Sequence, residues 1–475
     1  MQTTQAQTKR RIRESEELLE NAEKFASIAS LFGNGGKEVA AVTGPGHKVC
    51  CEQWTGYPQA QLTDAWKKVL FDEFHDIMPG SGIAVNYRDA QIDLTEARRS
   101  AREVEDTALR EIAAHVNTQR TGLPAVPVVI FNPLSWPRID VTEVETQMPP
   151  GAQSLGVVDP TGKAVQSQTV AVDASTHRAK LLLQASAPAL GYTTYFVRQS
   201  PTPTTGGMPF YSEPAVTAND TTLENIFIRI KVDPKTGCMT SILDKRTNTE
   251  ALGEAVQPKT PYDGPAYPGV CGNLLQAFVD KPKDWDAWNI DAEFEKQRWD
   301  LMQPDEVKLV ESGPLRYVLR VRQHFQNSKF VQDITMYPGQ ARVDVHMSAD
   351  WNEKHILLKV AFPLSAHSDH ATYEIPFGSI ERPTTRNNPR ELAMFEVPAR
   401  QWADLSDATH GFALLNDSKY GYDAKGNVLR LSLLRSPTWP DPHADEGHHE
   451  FTYSILPHAG GWKDAGVVRQ AYQLN

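Results

Sequence analysis

Residues 66–83 read WKKVLFDEFHDIMPGSGI. Trp66, Leu70 and Phe74 recur at every fourth position, the spacing of one stripe of a helix, and Phe71 and His75 fall on the neighbouring stripe. Pro79 cannot continue the hydrogen-bond ladder and Gly80 tolerates a left-handed exit, so the spacing predicts a helix over Thr63 to Asp76 that stops at Pro79-Gly80. His75 and Asp76 are then presented on its last turn, just before a tight Pro-Gly-Ser-Gly loop. A nitrogen ligand and a carboxylate aimed at one spot make a piece of a metal or sugar site, although two side chains do not fill a zinc shell. The plainer alternative is a histidine favoured near a helix C-terminus by the helix dipole.

On either side of this stretch the pattern is also helical. Leu19, Ala22, Ala26 and Ala29 keep three-four spacing within Thr8 to Phe32, which Gly33-Asn34-Gly35-Gly36 closes. A loop runs from Gly44 to Gly56. From Tyr87 to about Gln119, Ala90, Leu94, Ala97, Ala101, Val104, Ala108 and Ile112 form a long apolar seam with charges on the other faces. Three helices joined by loops predict a small bundle over residues 1–122.

From Val126 onward the helical period gives way to short β-branched runs ending in turns. Residues 123–210 read as a small β domain that closes on the exposed PTPTTGG stretch, 201–207. Residues 211–475 read as a larger β-sandwich domain. Ile226 to Val232 and Met239 to Leu243 flank a Pro-Lys-Thr-Gly turn, a hairpin, and strands follow at regular spacing to Leu456. The expected fold class is therefore α+β, mainly β: an N-terminal three-helix bundle followed by β-sandwich domains.

Composition limits the function classes. A net charge of -11 argues against a nucleic-acid partner, which would need a basic face. No apolar run reaches the eighteen or so residues of a membrane span, and the polar MQTTQAQTKRR start has no signal-peptide core. Cys50, Cys51, Cys238 and Cys271 show no zinc-knuckle or framework spacing, so they read as reduced thiols in a cytoplasmic protein. Phosphate loops, G-x-S-x-G elbows, H-E-x-x-H and dinucleotide fingerprints are all missing from the sequence.

Three further stretches carry candidate chemistry. DWDAWNID (284–291) alternates acids with Trp285 and Trp288, a style suited to sugar stacking or to a pinned surface loop. SDHATYEIPFGSIERPT (368–384) holds Tyr373, Glu374 and Arg382 in a strand-turn-strand pattern. WPDPHADEGHHEF (439–451) packs three histidines and four acids into a proline-stiffened loop, with Asp445 and His449 as candidates to face a cleft.

Taken together these stretches resemble the family 38 glycoside hydrolases, the retaining α-mannosidases. FHDIMPGSGI is similar to that family's FHD-x-x-x-G-S signature. IFNPLSWPR, DAWNID, YEIPFGSIERPT, GFALLNDSKYGY, LRLSLLRSPTWPDP, HEFTYSILPH and DAGVVRQAYQLN also resemble it, in the family's order and nearest to its cytosolic, vacuolar and bacterial branch. The resemblance implies that His75 is a zinc ligand and that Asp76 touches mannose. It also suggests Tyr373, Tyr420, Asp445 and His449 as substrate contacts, from the segments they occupy.

By the same resemblance, one carboxylate attacks the anomeric carbon, a second serves as acid and base, and zinc binds two mannose hydroxyls. The family carries those carboxylates and an H-x-D zinc pair on an N-terminal barrel-like domain. Only residues 1–65 precede the quoted stretch, and their one histidine, His47, has no H-x-D context. The expectation is a zinc-dependent α-mannosidase acting on mannose-containing oligosaccharides, present as a C-terminal part that is inactive alone. No catalytic residue is assigned within it, and a separate N-terminal catalytic chain is a possible partner. The competing expectation is a stand-alone carbohydrate-binding or structural module, motivated by Trp285, Trp288 and Trp439.

Overall fold

Three long helices open the chain. In the computed structural model, which describes residues 2–32, 54, 56–119, 124–149, 151–152, 154–200 and 216–475, α1 (Ala6–Ser30) buries Leu19, Ala22, Ala26 and Ala29. α3 (Ala84–Ala114) buries the whole seam from Ala90 to Ile112 that the sequence marks. The glycine run 33–36, most of the Gly44 to Gly56 loop, Cys50, Cys51 and the PTPTTGG stretch lie outside the described residues.

α2 (Gln59–Asp72) departs from expectation. It ends at Asp72 rather than Asp76, and turns occupy residues 73–80. Its buried stripe is Leu62, Ala65, Val69 and Asp72, while Leu70, Phe71 and Phe74 are exposed. The sequence carries two apolar stripes here, and periodicity cannot say which one faces inward. The seam against α1 and α3 is lined with alanines (Ala22, Ala26, Ala97 and Ala101), and the stripe of smaller side chains fits it.

The protein is mainly β, but its helices are not confined to the N-terminus. α4 (Pro389–Leu392) is short. α5 (Val467–Leu474) packs Val467 and Ala471 against Trp402, Ala413 and Leu415, so helices occur beyond the expected N-terminal three-helix bundle as well. A four-stranded and a three-stranded sheet share one core built on Leu155, Val157, Leu181, Leu183, Tyr195 and Val197. A second, much larger core joins a five-, a six- and a nine-stranded sheet. In the nine-stranded sheet Val343–Trp351 pairs with Gly447–Ala459 along its whole length.

In the six-stranded sheet Ile356–Pro363 and Val428–Arg435 are buried at every residue, so their polar positions must find partners inside. Lys359 pairs with Glu396 and with Asp423 (2.6 Å). Arg430 pairs with Asp423 (2.7 Å) and Glu295, and Lys425 joins Glu295 (2.6 Å) to Asp263 (2.9 Å). The result is a connected network of ions, buried except at Asp263.

Cys238 and Cys271 form a disulfide, which corrects the reading of reduced thiols for this pair. Their separation of 33 residues says nothing about pairing, but the Met239↔Gly272 bridge sets the two cysteines side by side with Cα atoms 4.9 Å apart. No helix among the described residues is long and apolar enough to cross a membrane.

Two predictions follow from this packing. Thiol titration of the denatured, unreduced chain should count no more than two free thiols, not four. For the ion network, burial pushes the Glu295 carboxyl up, but Arg430 and Lys425 outweigh it and hold it down at about 2. A depressed carboxylate contributes stability above its unfolded pKa and loses it as pH falls. Roughly 3 kcal/mol should therefore vanish between about pH 4.5 and pH 2, and urea unfolding should show that slope flattened in Arg430→Met.

Candidate functional site

The quoted loop is held from behind by the start of α1. Asp445, a residue of the 436–446 loop, lies against that N-terminus, and its two carboxylate oxygens accept the backbone N–H groups of Gln5 (2.7 Å) and Ala6 (2.6 Å). A helix N-terminus leaves such N–H groups without partners and favours a negative charge, so Asp445 caps α1 from about 440 residues away. The Gln5 side chain donates to Asp441 (2.8 Å) in the same loop. One turn along, the buried Lys9 ammonium donates to the carbonyls of Thr4 (2.5 Å) and Met78 (2.7 Å). Met78 lies three residues past His75. Gly80 presses on the same segment: its φ is 87°, and a Cβ there would come within 2.5 Å of the Thr4 carbonyl. The glycine of the signature is thus required by close backbone approach as well as by conformation.

On this support His75 and Asp76 face solvent. Their side chains are 75% and 56% exposed, with Nε2 3.5 Å from the Asp76 carboxylate, and the His75 ring rests on Phe74 at 4.0 Å between centroids. Leu70, Phe71 and Phe74 are exposed beside them. The pair could offer one imidazole nitrogen and one carboxylate to a ligand. Among the described residues no three His, Cys, Asp or Glu side chains stand together in a way that would hold a metal ion.

The other four residues singled out from the sequence already have internal partners. Tyr373 lies in the large core with its ring against Tyr422 and the Arg382 guanidinium 4.8 Å from its centroid. Tyr420 carries the Arg13 guanidinium on its ring at 4.5 Å and accepts its Nε–H at 3.2 Å. Asp445 is the helix cap. His449 is buried, with Nε2 2.8 Å from the Asp445 carbonyl; burial, with the Lys419 ammonium nearby, pushes its imidazole down to about 4. Tyr373, Asp445 and His449 are buried and Tyr420 is partly buried against Arg13, so within this chain none of the four stands in solvent as His75 and Asp76 do. Tyr373 and Tyr420 sit in patterned strands and turns where inward and outward positions alternate, and sequence alone does not fix the phase.

Sequence reasoning missed Thr4, Lys9 and Arg13. The signal was present: Lys9 and Arg13 lie four apart on α1, where Arg13 is fully buried and donates to the Arg400 carbonyl (3.2 Å). For Lys9 and Asp445, burial pushes the ammonium down and the carboxyl up, and each opposes the shift of the other.

With this geometry in view, comparison with known proteins gives a consistent result. The Alpha mannosidase middle domain profile matches residues 1–112, and the profile of the Glycosyl hydrolases family 38 C-terminal domain matches residues 223–443. Alpha-mannosidase 2C1 of Mus musculus is 33% identical over all of this chain. Alpha-mannosidase G of Dictyostelium discoideum is 30% identical, again over the whole chain. The chain spans 39% and 42% of the lengths of these two relatives. An alpha-mannosidase from Enterococcus faecalis shares the fold over 99% of this chain and 56% of its own, with a TM-score of 0.75 at 17% identity.

The clamp predicts a contrast between two substitutions. Asp445→Ala removes two charge-assisted hydrogen bonds and leaves the Gln5 and Ala6 N–H groups without their acceptor, and should cost about 2–5 kcal/mol in urea unfolding. It should also speed amide exchange in residues 73–80. His75→Ala, at an exposed site, should stay within about 0.5 kcal/mol of the parent.

Proposed function

The chain belongs to glycosyl hydrolase family 38, whose middle and C-terminal domains it carries, and from that membership we propose that it is the substrate-pocket wall of an α-mannosidase. The observation that carries this reading is the exposed His75–Asp76 pair, clamped through Met78 and Gly80 in the FHD-x-x-x-G-S stretch. In this reading Asp76 accepts hydrogen bonds from hydroxyls of a terminal α-linked mannose, and the His75 nitrogen serves as one ligand of a zinc ion. The described residues fit zinc only in part, since a zinc shell takes about four ligands and no third stands beside this pair.

Retaining hydrolysis also needs two carboxylates about 5 Å apart astride the scissile bond. We assign that chemistry to a further portion of polypeptide seated against His75, Phe71 and Phe74. Two observations support the assignment: exposed Leu70, Phe71 and Phe74 next to the pair, and a match to relatives of which this chain spans 39%. The contribution of the chain itself is to orient the sugar by fixing the Asp76 carboxylate on a rigid loop, and to shed water around it with the Phe71 and Phe74 rings.

The test is release of the aryl group from an aryl α-mannoside. The purified chain alone should release none and should lose zinc on dialysis. Mixing with the remaining portion of the enzyme should give activity that His75→Ala and Asp76→Ala abolish. Zinc- and His75-dependent turnover by the chain alone would overturn the division of labour. Full activity of the mixed His75→Ala variant would overturn the site.

A further inference from the structure

Trp285 and Trp288 belong to one segment and Trp439 to another, yet the fold gathers all three rings. Centroids lie 6.0 Å apart for Trp285–Trp288, 6.0 Å for Trp285–Trp439 and 5.4 Å for Trp288–Trp439. Trp285 stays 62% exposed and Trp439 50% exposed. Indole is the largest apolar side chain, and leaving two of them in water forgoes a large burial gain, so such a patch calls for a ligand.

The rings are held in place rather than left loose. The fully buried Arg435 pairs with Asp280, and its guanidinium donates to the backbone carbonyls of Asp286 (2.8 Å), Ala287 (3.0 Å) and Asn289. The 284–291 turn is thereby wrapped around a single side chain. Asp286 in turn accepts the Thr438 N–H (2.6 Å), tying the turn to the residue before Trp439. Trp285 sits at φ 62°, a left-handed backbone that non-glycine residues rarely adopt and that the surrounding bonds must enforce. A buried arginine and a strained residue are together committed to presenting aromatic rings outward, so a ligand meets a surface already ordered.

We propose that Trp285, Trp288 and Trp439 form a binding platform for the pyranose rings of a neutral oligosaccharide, distinct from the His75–Asp76 pair. The C–H face of a pyranose is apolar and stacks on indole, while its equatorial rim carries hydroxyls that need acceptors. The exposed side chains of Asp284 and Asn289 border the rings and supply them. No large aliphatic side chain is exposed in residues 280–292 or 436–446, so the apolar surface offered there is aromatic. A chain with net charge -11 and an acid at the rim also disfavours an acidic glycan or another polyanion. The platform does not depend on the mannoside reading of His75.

Calorimetry and tryptophan fluorescence with linear α-mannotetraose, and in parallel cellotetraose, test the platform on the full chain. Saturable binding of at least one tetrasaccharide is expected, with a fluorescence change. Trp285→Ala and Trp439→Ala should each weaken it about tenfold or more, and Trp285→Phe should retain part of it. Both rings are exposed, so the variants should melt like the parent; if Trp439→Ala does not fold, the two Trp285 variants decide. Three results would overturn the proposal. They are no saturable binding of either sugar at millimolar concentration, binding indifferent to the Trp285 variants, or a dimer in sedimentation velocity that Trp285→Ala dissolves. The last would assign the platform to a second copy of the chain.

Discussion

One carboxylate ties the two halves of this protein together. Asp445, on a loop of the β body, accepts the first free N–H groups of α1, and α1 then reaches through Lys9 to the carbonyl of Met78. The helical layer is referred to the sheets through this clamp and, further along α1, through Arg13 on Tyr420 and the Arg400 carbonyl, and the His75–Asp76 loop takes its position from the clamp. The groups are buried, so the attraction acts in a low-dielectric surrounding and is poorly screened. It is also demanding: without the Asp445 carboxylate the Gln5 and Ala6 N–H groups lose their acceptor.

The β body solves a related problem on a larger scale. Its six-stranded sheet is buried along two full strands, yet those strands carry Lys359, Arg430 and Arg435. Each cation has a carboxylate partner from a distant segment, Glu396 and Asp423, Glu295, or Asp280. Asp280 and Glu295 thereby draw the irregular stretch that follows the strand Leu274–Val279 against the sheet. Arg435 in particular shapes the turn that carries Trp285 and Trp288. Charge burial here organises loops, which is why the segments with the most functional character are also the most firmly tethered.

Family membership gives the frame in which both devices make sense. In the proposed reading a pocket wall that meets a further part of the enzyme needs exposed chemistry on a firm support, and His75 and Asp76 are exposed on one. The support lies entirely within this chain: Thr4, Lys9, Gly80, Asp441 and Asp445.

Much of the architecture was legible in the residues. The apolar seams of α1 and α3 were read position by position, because a helix with one unbroken apolar stripe has only one way to face a core. The β character after Val126 and the Pro-Lys-Thr-Gly hairpin were legible for the same reason: local spacing and turn chemistry determine them. The FHD-x-x-x-G-S stretch, with the ordered motifs after it, identified the family. What local pattern could not decide was direction and long-range partnership. α2 carries two apolar stripes, and only the alanine-lined seam of α1 and α3 selects the inner one. Tyr373, Tyr420, Asp445 and His449 looked like binding residues because polar and aromatic side chains in loops often are. The tertiary structure supplied each with a partner far away in sequence, and a buried polar group is assigned its role by that partner. The same holds for Cys238 with Cys271, and for three tryptophans that become one surface only after the turn closes on Arg435. Sequence determined what each segment is. Tertiary contact decided which side of it faces inward, because burial and pairing energies depend on neighbours that local spacing does not encode.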